Sequence, residues 1–250
     1  MIQSPIGKVL STIRKHRVRA LLMGGQACIL YGAAEFSRDV DLAVLASARN
    51  LDRLQQALAE LQAEPVYFPP LRQEVLEKGH ACQFRVFVPA APGLRVDVMS
   101  KMRGCDDFDH LWRRRRRYKL PRQGLVSVLS LADLVQAKKT QRDKDWPMIR
   151  RLVEVDYHNR PLRPSPKQVK FWLRECRTPA MLIELCSSFP RAAQRLAAAR
   201  PALECAMRRN IDEVERLLRS EEDAQREADR VYWRPLREEL FRWRTQRTRT

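Results

Sequence analysis

At 250 residues, 44% hydrophobic and 31% charged, the chain is too apolar for a disordered protein and long enough for one large domain or two modest ones. A formal net charge of +18 and a pI of about 10.4 favour a polyanionic partner, although an Arg-rich, Lys-poor composition also fits a soluble protein from a GC-rich genome. The six cysteines form no CxxC pair and do not cluster with the four histidines, which argues against zinc, while the absence of a leader-like segment or a span-length apolar run predicts a cytoplasmic protein with no membrane partner.

Residues 4–16 place Ile6, Val9, Leu10 and Ile13 on one side of an amphipathic helix. Residues 18–23 are apolar enough for a short buried strand. Gly24 and Gly25 follow, then a helical stretch over residues 26–31 closed by Gly32. Residues 39–45 predict a second strand with Asp39 and Asp41 at alternate positions, so that both carboxylates leave the same face. Two adjacent carboxylates repel unless a cation neutralises them, and Mg²⁺ suits such hard oxygen ligands.

Ser47 or Asn50 can cap a helix carrying Leu51, Leu54, Leu58 and Leu61 on one face. Pro65, Pro69 and Pro70 mark an irregular segment around Val66 and Tyr67, and a short helix over residues 71–77 ends at Gly79. Residues 82–88 and 94–99 predict a hairpin about the Pro-Gly turn at 89–93. Its second strand carries Asp97 between Val96 and Val98, a place for an acid only if it has a partner. A short helix over 106–112 leads into Arg113, Arg114, Arg115, Arg116 and Arg117. A strand over 125–129 follows, and Ser130 then caps a helix with Leu131, Leu134, Val135 and Lys138 at helical spacing. Asp143 can cap the next helix, in which Pro147 occupies a tolerated first-turn position.

Pro161, Pro164 and Pro166 form a linker-like stretch, and the pattern beyond it is helical: 167–175, 179–187, 191–199, 201–220 and 221–244, then a polar, frayed tail over 244–250. The predicted organisation is therefore an α+β domain over 1–160 and an all-helical C-terminal region over 161–250. Tyr232, Trp233, Leu236, Leu240 and Trp243 fall at helical spacing and are expected to pack against the N-terminal domain.

Gly24-Gly25, residues 26–38, the Asp39-Val40-Asp41-Leu42 strand and a third acid, Asp97, on a later strand together resemble the active-site signature of the nucleotidyltransferase superfamily with the polymerase β-like fold. The nearest likeness is to small bacterial nucleotidyltransferases, including the abortive-infection toxin type, in which a Lys-containing helix precedes an Arg-x-x-Asp element. The stretch Lys138-Lys139-Thr140-Gln141-Arg142-Asp143-Lys144-Asp145 is similar. The resemblance covers roughly residues 15–155.

It implies a mixed sheet and an enzyme that moves a nucleoside monophosphate from an NTP to a hydroxyl acceptor, releasing pyrophosphate. Asp39, Asp41 and Asp97 would hold two Mg²⁺ ions, or Mn²⁺ in their place, with Asp97 as base. Gly24, Gly25, Ser37, Arg38 and Lys138 would contact the nucleotide, with Lys139 as the alternative to Lys138. The acceptor could be RNA, tRNA above all, a protein side chain or a small molecule; basic charge favours RNA. A toxin would bring a cognate antitoxin as partner. The alternative is a catalytically silent module that keeps the fold and binds nucleic acid or a protein. The run Arg113–Arg117 reads either as a solvated helix end paired with Asp106, Asp107 and Asp109 or as an RNA phosphate patch.

Overall fold

A computed structural model describes residues 4–66 and 69–247; Tyr67 and the last three residues of the polar tail lie outside the described residues. The chain forms two compact units. One takes Met1–Ala137 together with Tyr232–Thr250, the other Lys138–Val231. These divisions fall at 137/138 and 231/232, not near residue 160. The helix after Lys144 belongs with the helices C-terminal to it, since Trp172 donates an indole hydrogen bond to Asp156 at 2.7 Å and stacks edge-on against Tyr157.

The first unit is built on a seven-stranded mixed sheet with spatial order β3-β4-β5-β2-β1-β7-β6. In chain order these are β1 (Ala20–Met23), β2 (Asp39–Val44), β3 (Ala63–Pro65), β4 (Cys82–Val86), β5 (Arg95–Met99), β6 (Arg116–Leu120) and β7 (Gly124–Val128). Parallel pairing joins β2 to β5 and β1 to β7; the other neighbours are antiparallel. The helices of this unit are α1 (Ser4–Lys15), α2 (Gly24–Leu30), α3 (Ala48–Glu60), α4 (Gln73–Lys78), α5 (Phe108–Arg114) and α6 (Leu131–Ala137). The expected α1 stripe of Ile6, Val9, Leu10 and Ile13 is buried, as is the α3 stripe of Leu51, Leu54 and Leu58. Their period of about 3.6 residues turns each stripe to one side, where burial outweighs the cost of ordering the helix.

Local chemistry sets several ends. Gly79 stops α4 in the left-handed region at φ 108°, and the N–H groups of Gly79 and His80 reach back to the Leu76 and Val75 carbonyls. Ser130 Oγ accepts from the Asp133 N–H as expected of a cap. Ser47 occupies the N-cap of α3 without a side-chain bond. Asn50 instead accepts from the Arg19 N–H and donates to the Arg19 and Leu45 carbonyls, fixing the start of β1.

The second unit is helical: α7 (Asp145–His158), α8 (Pro166–Glu175), α9 (Pro179–Ser188), α10 (Pro190–Ala197), α11 (Pro201–Met207) and the first part of α12 (Ile211–Arg247). A reciprocal capping box between Ser165 and Gln168, with proline in the first turn, starts α8. The expected break at 220/221 is absent. Asp143 is not the cap of α7: Lys144 stands there, and the Asp143 carboxylate accepts from Arg226 at 2.6 Å. The aromatic stripe near the end of α12 packs within the first unit, where Trp243 lies 5.0 Å from the His80 ring and Glu239 accepts from Lys78. Among the described residues no helix is long and apolar enough to cross a membrane, and all six cysteines are free thiols.

Candidate carboxylate site

Strand register assembles the site. On β2, Val40, Leu42 and Val44 are fully buried on one face, which leaves Asp39 and Asp41 on the other. Parallel pairing places Asp41 directly opposite Asp97 and Asp39 opposite Arg95. Antiparallel pairing extends both rows onto β4, with Gln83 opposite Asp97 and Arg85 opposite Arg95. Directly opposed residues share a face. One row across the sheet is therefore Gln83, Asp97, Asp41 and Met23, and the next is Arg85, Arg95 and Asp39. The three acids predicted from the sequence come together on one face of the sheet.

Two glycines border the patch. Gly24 begins α2 at φ 63°, a left-handed conformation that costs a side-chain-bearing residue about 1 kcal/mol or more. A Cβ there would stand 1.7 Å from Asp41 Oδ2 and 2.7 Å from the Asp41 Cβ, so only glycine lets this carboxylate lie against the turn. A Cβ on Gly25 would stand 2.3 Å from Ser37 Oγ. The Ser37 loop is held by Gln26, wholly buried, whose Nε2 donates to the Ser37 carbonyl at 2.9 Å while its Oε1 has no partner. Arg38 is exposed, with its guanidinium over the Phe36 ring.

The electrostatics are those of crowded acids around one cation. Arg95 Nη2 donates to Asp39 Oδ2 at 2.5 Å, and its Nε lies 3.4 Å from Asp97 Oδ1. That second approach is an ion pair without hydrogen-bond geometry, and both atoms are buried with no hydrogen-bond partner. Burial pushes the Asp97 carboxyl up to about 6; the Arg95 charge opposes this, Asp41 and Asp39 add to it, and a hydrogen bond from Gln83 offsets part of it. Among the described residues no three His, Cys, Asp or Glu side chains converge as a metal-holding group; Asp39 is drawn to Arg95 instead. The donor set nevertheless fits a hard divalent cation, being all carboxylate and including one buried oxygen that lacks a donor.

The other predicted residues lie elsewhere. Helix α6 ends at Ala137, so Lys138 stands in the turn after it, not on the helix, and in the second unit. Its ammonium donates to Asp145 at 2.9 Å, where Thr140 and Arg142 also donate. Lys139 is paired with Glu175 at 2.8 Å. The arginine run is divided: α5 ends at Arg114, and Arg116 and Arg117 open β6. Arg114 is engaged by Asp133 and Asp106, and Arg115 stacks over Trp112 at 4.0 Å, leaving Arg113, Arg116 and Arg117 exposed. Of the two readings of the run, the pairing one is met at Asp106, which accepts from Arg114; Asp109 instead accepts from Arg19 at 2.8 Å, and among the described residues no pair joins the run to Asp107.

Gln83, Arg95 and Gln26 are site residues that the sequence motif does not mark. Arg95 lies two residues before Asp97 on the same predicted strand, which is a sequence signal for it, whereas only the β4–β5 register brings Gln83 opposite Asp97. No protein-family model and no curated protein matches this chain.

Proposed function

We propose that this chain is a metal-dependent nucleotidyltransferase of the polymerase β-like fold, transferring a nucleoside monophosphate from an NTP to a hydroxyl acceptor, with RNA the favoured acceptor. The observation that carries the reading is the register of Asp39, Asp41 and Asp97 on one sheet face beside a glycine turn closed against Asp41. Asp39, Asp41 and Asp97 would hold Mg²⁺, or Mn²⁺; when bound, such an ion neutralises triphosphate charge and acidifies a hydroxyl.

The chain's own residues have separable tasks. Asp97 would accept the proton of the acceptor hydroxyl, the role that the resemblance implies for it. That oxygen then bonds to the α-phosphorus as the bond to the β-phosphate bridging oxygen breaks, and pyrophosphate leaves with that electron pair. Gln83 orients Asp97 through its hydrogen bond. Gly24 lets the Asp41 carboxylate, and Gly25 the Ser37 hydroxyl, lie against the turn after β1, where the resemblance implies that the triphosphate is bound. Arg95 neutralises Asp39 in the metal-free protein and, once displaced, is a cation beside the phosphates. Lys138 is bonded to Asp145 and is assigned no step in this reading.

One observation favours a second reading. Arg95 already pairs with Asp39 and approaches Asp97, and carboxylates paired internally with an arginine are what a catalytically silent binding module would keep. Incubation with α-³²P- and γ-³²P-labelled NTPs, Mg²⁺ and total cellular RNA separates the two. The transferase predicts label from the α position only. It also predicts a loss of at least about 100-fold in Asp41→Asn, since even residues that merely support metal ligands cost 10–100-fold. No transfer with folded wild-type protein would favour the silent module.

A further inference from the structure

The second unit contains a basic cavity that the transferase reading leaves unused. Its volume is about 490 Å³. Its wall combines Lys139, Arg177 and Arg200 with Glu175 and Glu221, and Lys170 and Arg174 stand exposed at its rim, one turn apart on α8. Five cations face two acids, an excess of three positive charges.

Not all of these charges are structural. Arg200 is: its donors reach Glu221, the Leu173 carbonyl at 2.6 Å and the Cys176 carbonyl at 2.7 Å. Arg177 is different. It is 6% exposed and bonded through Nη1 to Glu221, but its Nε is buried without an acceptor. Burial, with Arg200 beside it, pushes the Arg177 guanidinium down, and burial does the same to the Lys139 ammonium. An anion in the cavity would offset the burial that disfavours both charges.

A second, wider groove of about 770 Å³ adjoins the first through shared Lys170 and Leu196. Arg191 and Arg195 line it with no acid among its walls, together with half-buried Phe189 and Pro164, Pro166 and Pro190. Several cations beside an apolar, aromatic lining match a chain of phosphates carrying stackable bases.

We propose that this face of the helical unit binds single-stranded nucleic acid, the cavity seating one backbone phosphate against Arg177 and the groove leading the strand past Phe189. The proposal stands apart from the transferase reading, because the binding needs neither NTP nor metal.

The test is fluorescence anisotropy of the full chain with a labelled oligouridylate of about 20 nucleotides, long enough to span more than one such site, without NTP or metal, at several NaCl concentrations. Lys170→Glu/Arg174→Glu changes two exposed residues and is expected to leave the circular dichroism unchanged. It is expected to weaken binding at least tenfold and to lower the slope of log K against log salt by about 1.4, two phosphate contacts at about 0.7 each. Arg49→Glu/Arg72→Glu, the same charge change at exposed positions of the other unit, is expected to shift affinity less than twofold. Equal weakening by both variants would show diffuse attraction to a basic protein and overturn the site. Competition by polyglutamate or by a duplex RNA as effective as that by unlabelled oligouridylate would overturn the assignment to a single strand, as would displacement by micromolar pyrophosphate, which would point to a free nucleotide.

Discussion

Asp97 is an acid placed where its charge is unfavourable. Its carboxyl lies at about 6 in the folded protein against 3.8 ordinarily, so the folded state holds its proton more tightly. Below about pH 3.8 the group is protonated in both states and has no net effect. Stability is lost as pH rises from there through 6, and above 6 the full penalty applies, on the order of 2–3 kcal/mol. Asp97→Asn is therefore expected to raise the urea-unfolding free energy of the metal-free protein by about that much near pH 8 and by little near pH 3.5. A difference independent of pH would contradict the crowded-acid description. Gly24 makes the complementary prediction. Its φ is 63°, and a methyl group at this position would stand 1.7 Å from the Asp41 carboxylate. Gly24→Ala is therefore expected to lose about 1–2 kcal/mol of stability and to move Asp41. A variant with wild-type stability would place the turn elsewhere.

At the scale of elements, what the sequence made legible was whatever carried periodic burial. The α1 and α3 stripes, the β2 alternation and the stop at Gly79 are all local patterns. The two strands it did not reveal, β3 and β6, are the two edges of the sheet. An edge strand has little to bury: β6 reads Arg-Arg-Tyr-Lys-Leu, with Tyr118 and Leu120 only half-buried, and polar side chains are what protect such edges from pairing with other chains. The spurious break in α12 has the opposite cause. Residues 211–231 look unlike a core helix because support runs along the surface, through Glu213–Arg216, Glu215–Arg219, Glu222–Arg226 and Glu227–Arg230 pairs, each acid preceding its base. The start of α8 depends on a single device. Ser165→Ala removes the reciprocal bond with Gln168 and is expected to cost about 1 kcal/mol, read as a lower midpoint of thermal unfolding. No change would mean that Pro166 alone sets the start.

For the molecule as a whole, the strand-borne acids were readable from a period of two, while their relation to one another was not. Nothing local in the sequence says that β5 pairs with β2 in the register that opposes Asp97 to Asp41, or that Arg95 thereby faces Asp39. The same limit hid the basic cavity, whose lining comes from segments as far apart as Lys139 and Gln225. Charge excess was visible at once, but which of the cations are spent internally was not: Arg114 and Arg200 are engaged by carboxylates, whereas Lys170 and Arg174 stand exposed. The face shared by Asp39, Asp41 and Asp97 is proposed to hold a divalent cation with a nucleotide, and electron paramagnetic resonance of Mn²⁺ titrated into the protein with ATP reads that binding itself. Protein-bound Mn²⁺ is predicted in the wild type, and its loss in Asp39→Asn and Asp41→Asn at unchanged circular dichroism; equal binding by all three proteins, or none by the wild type, would contradict it.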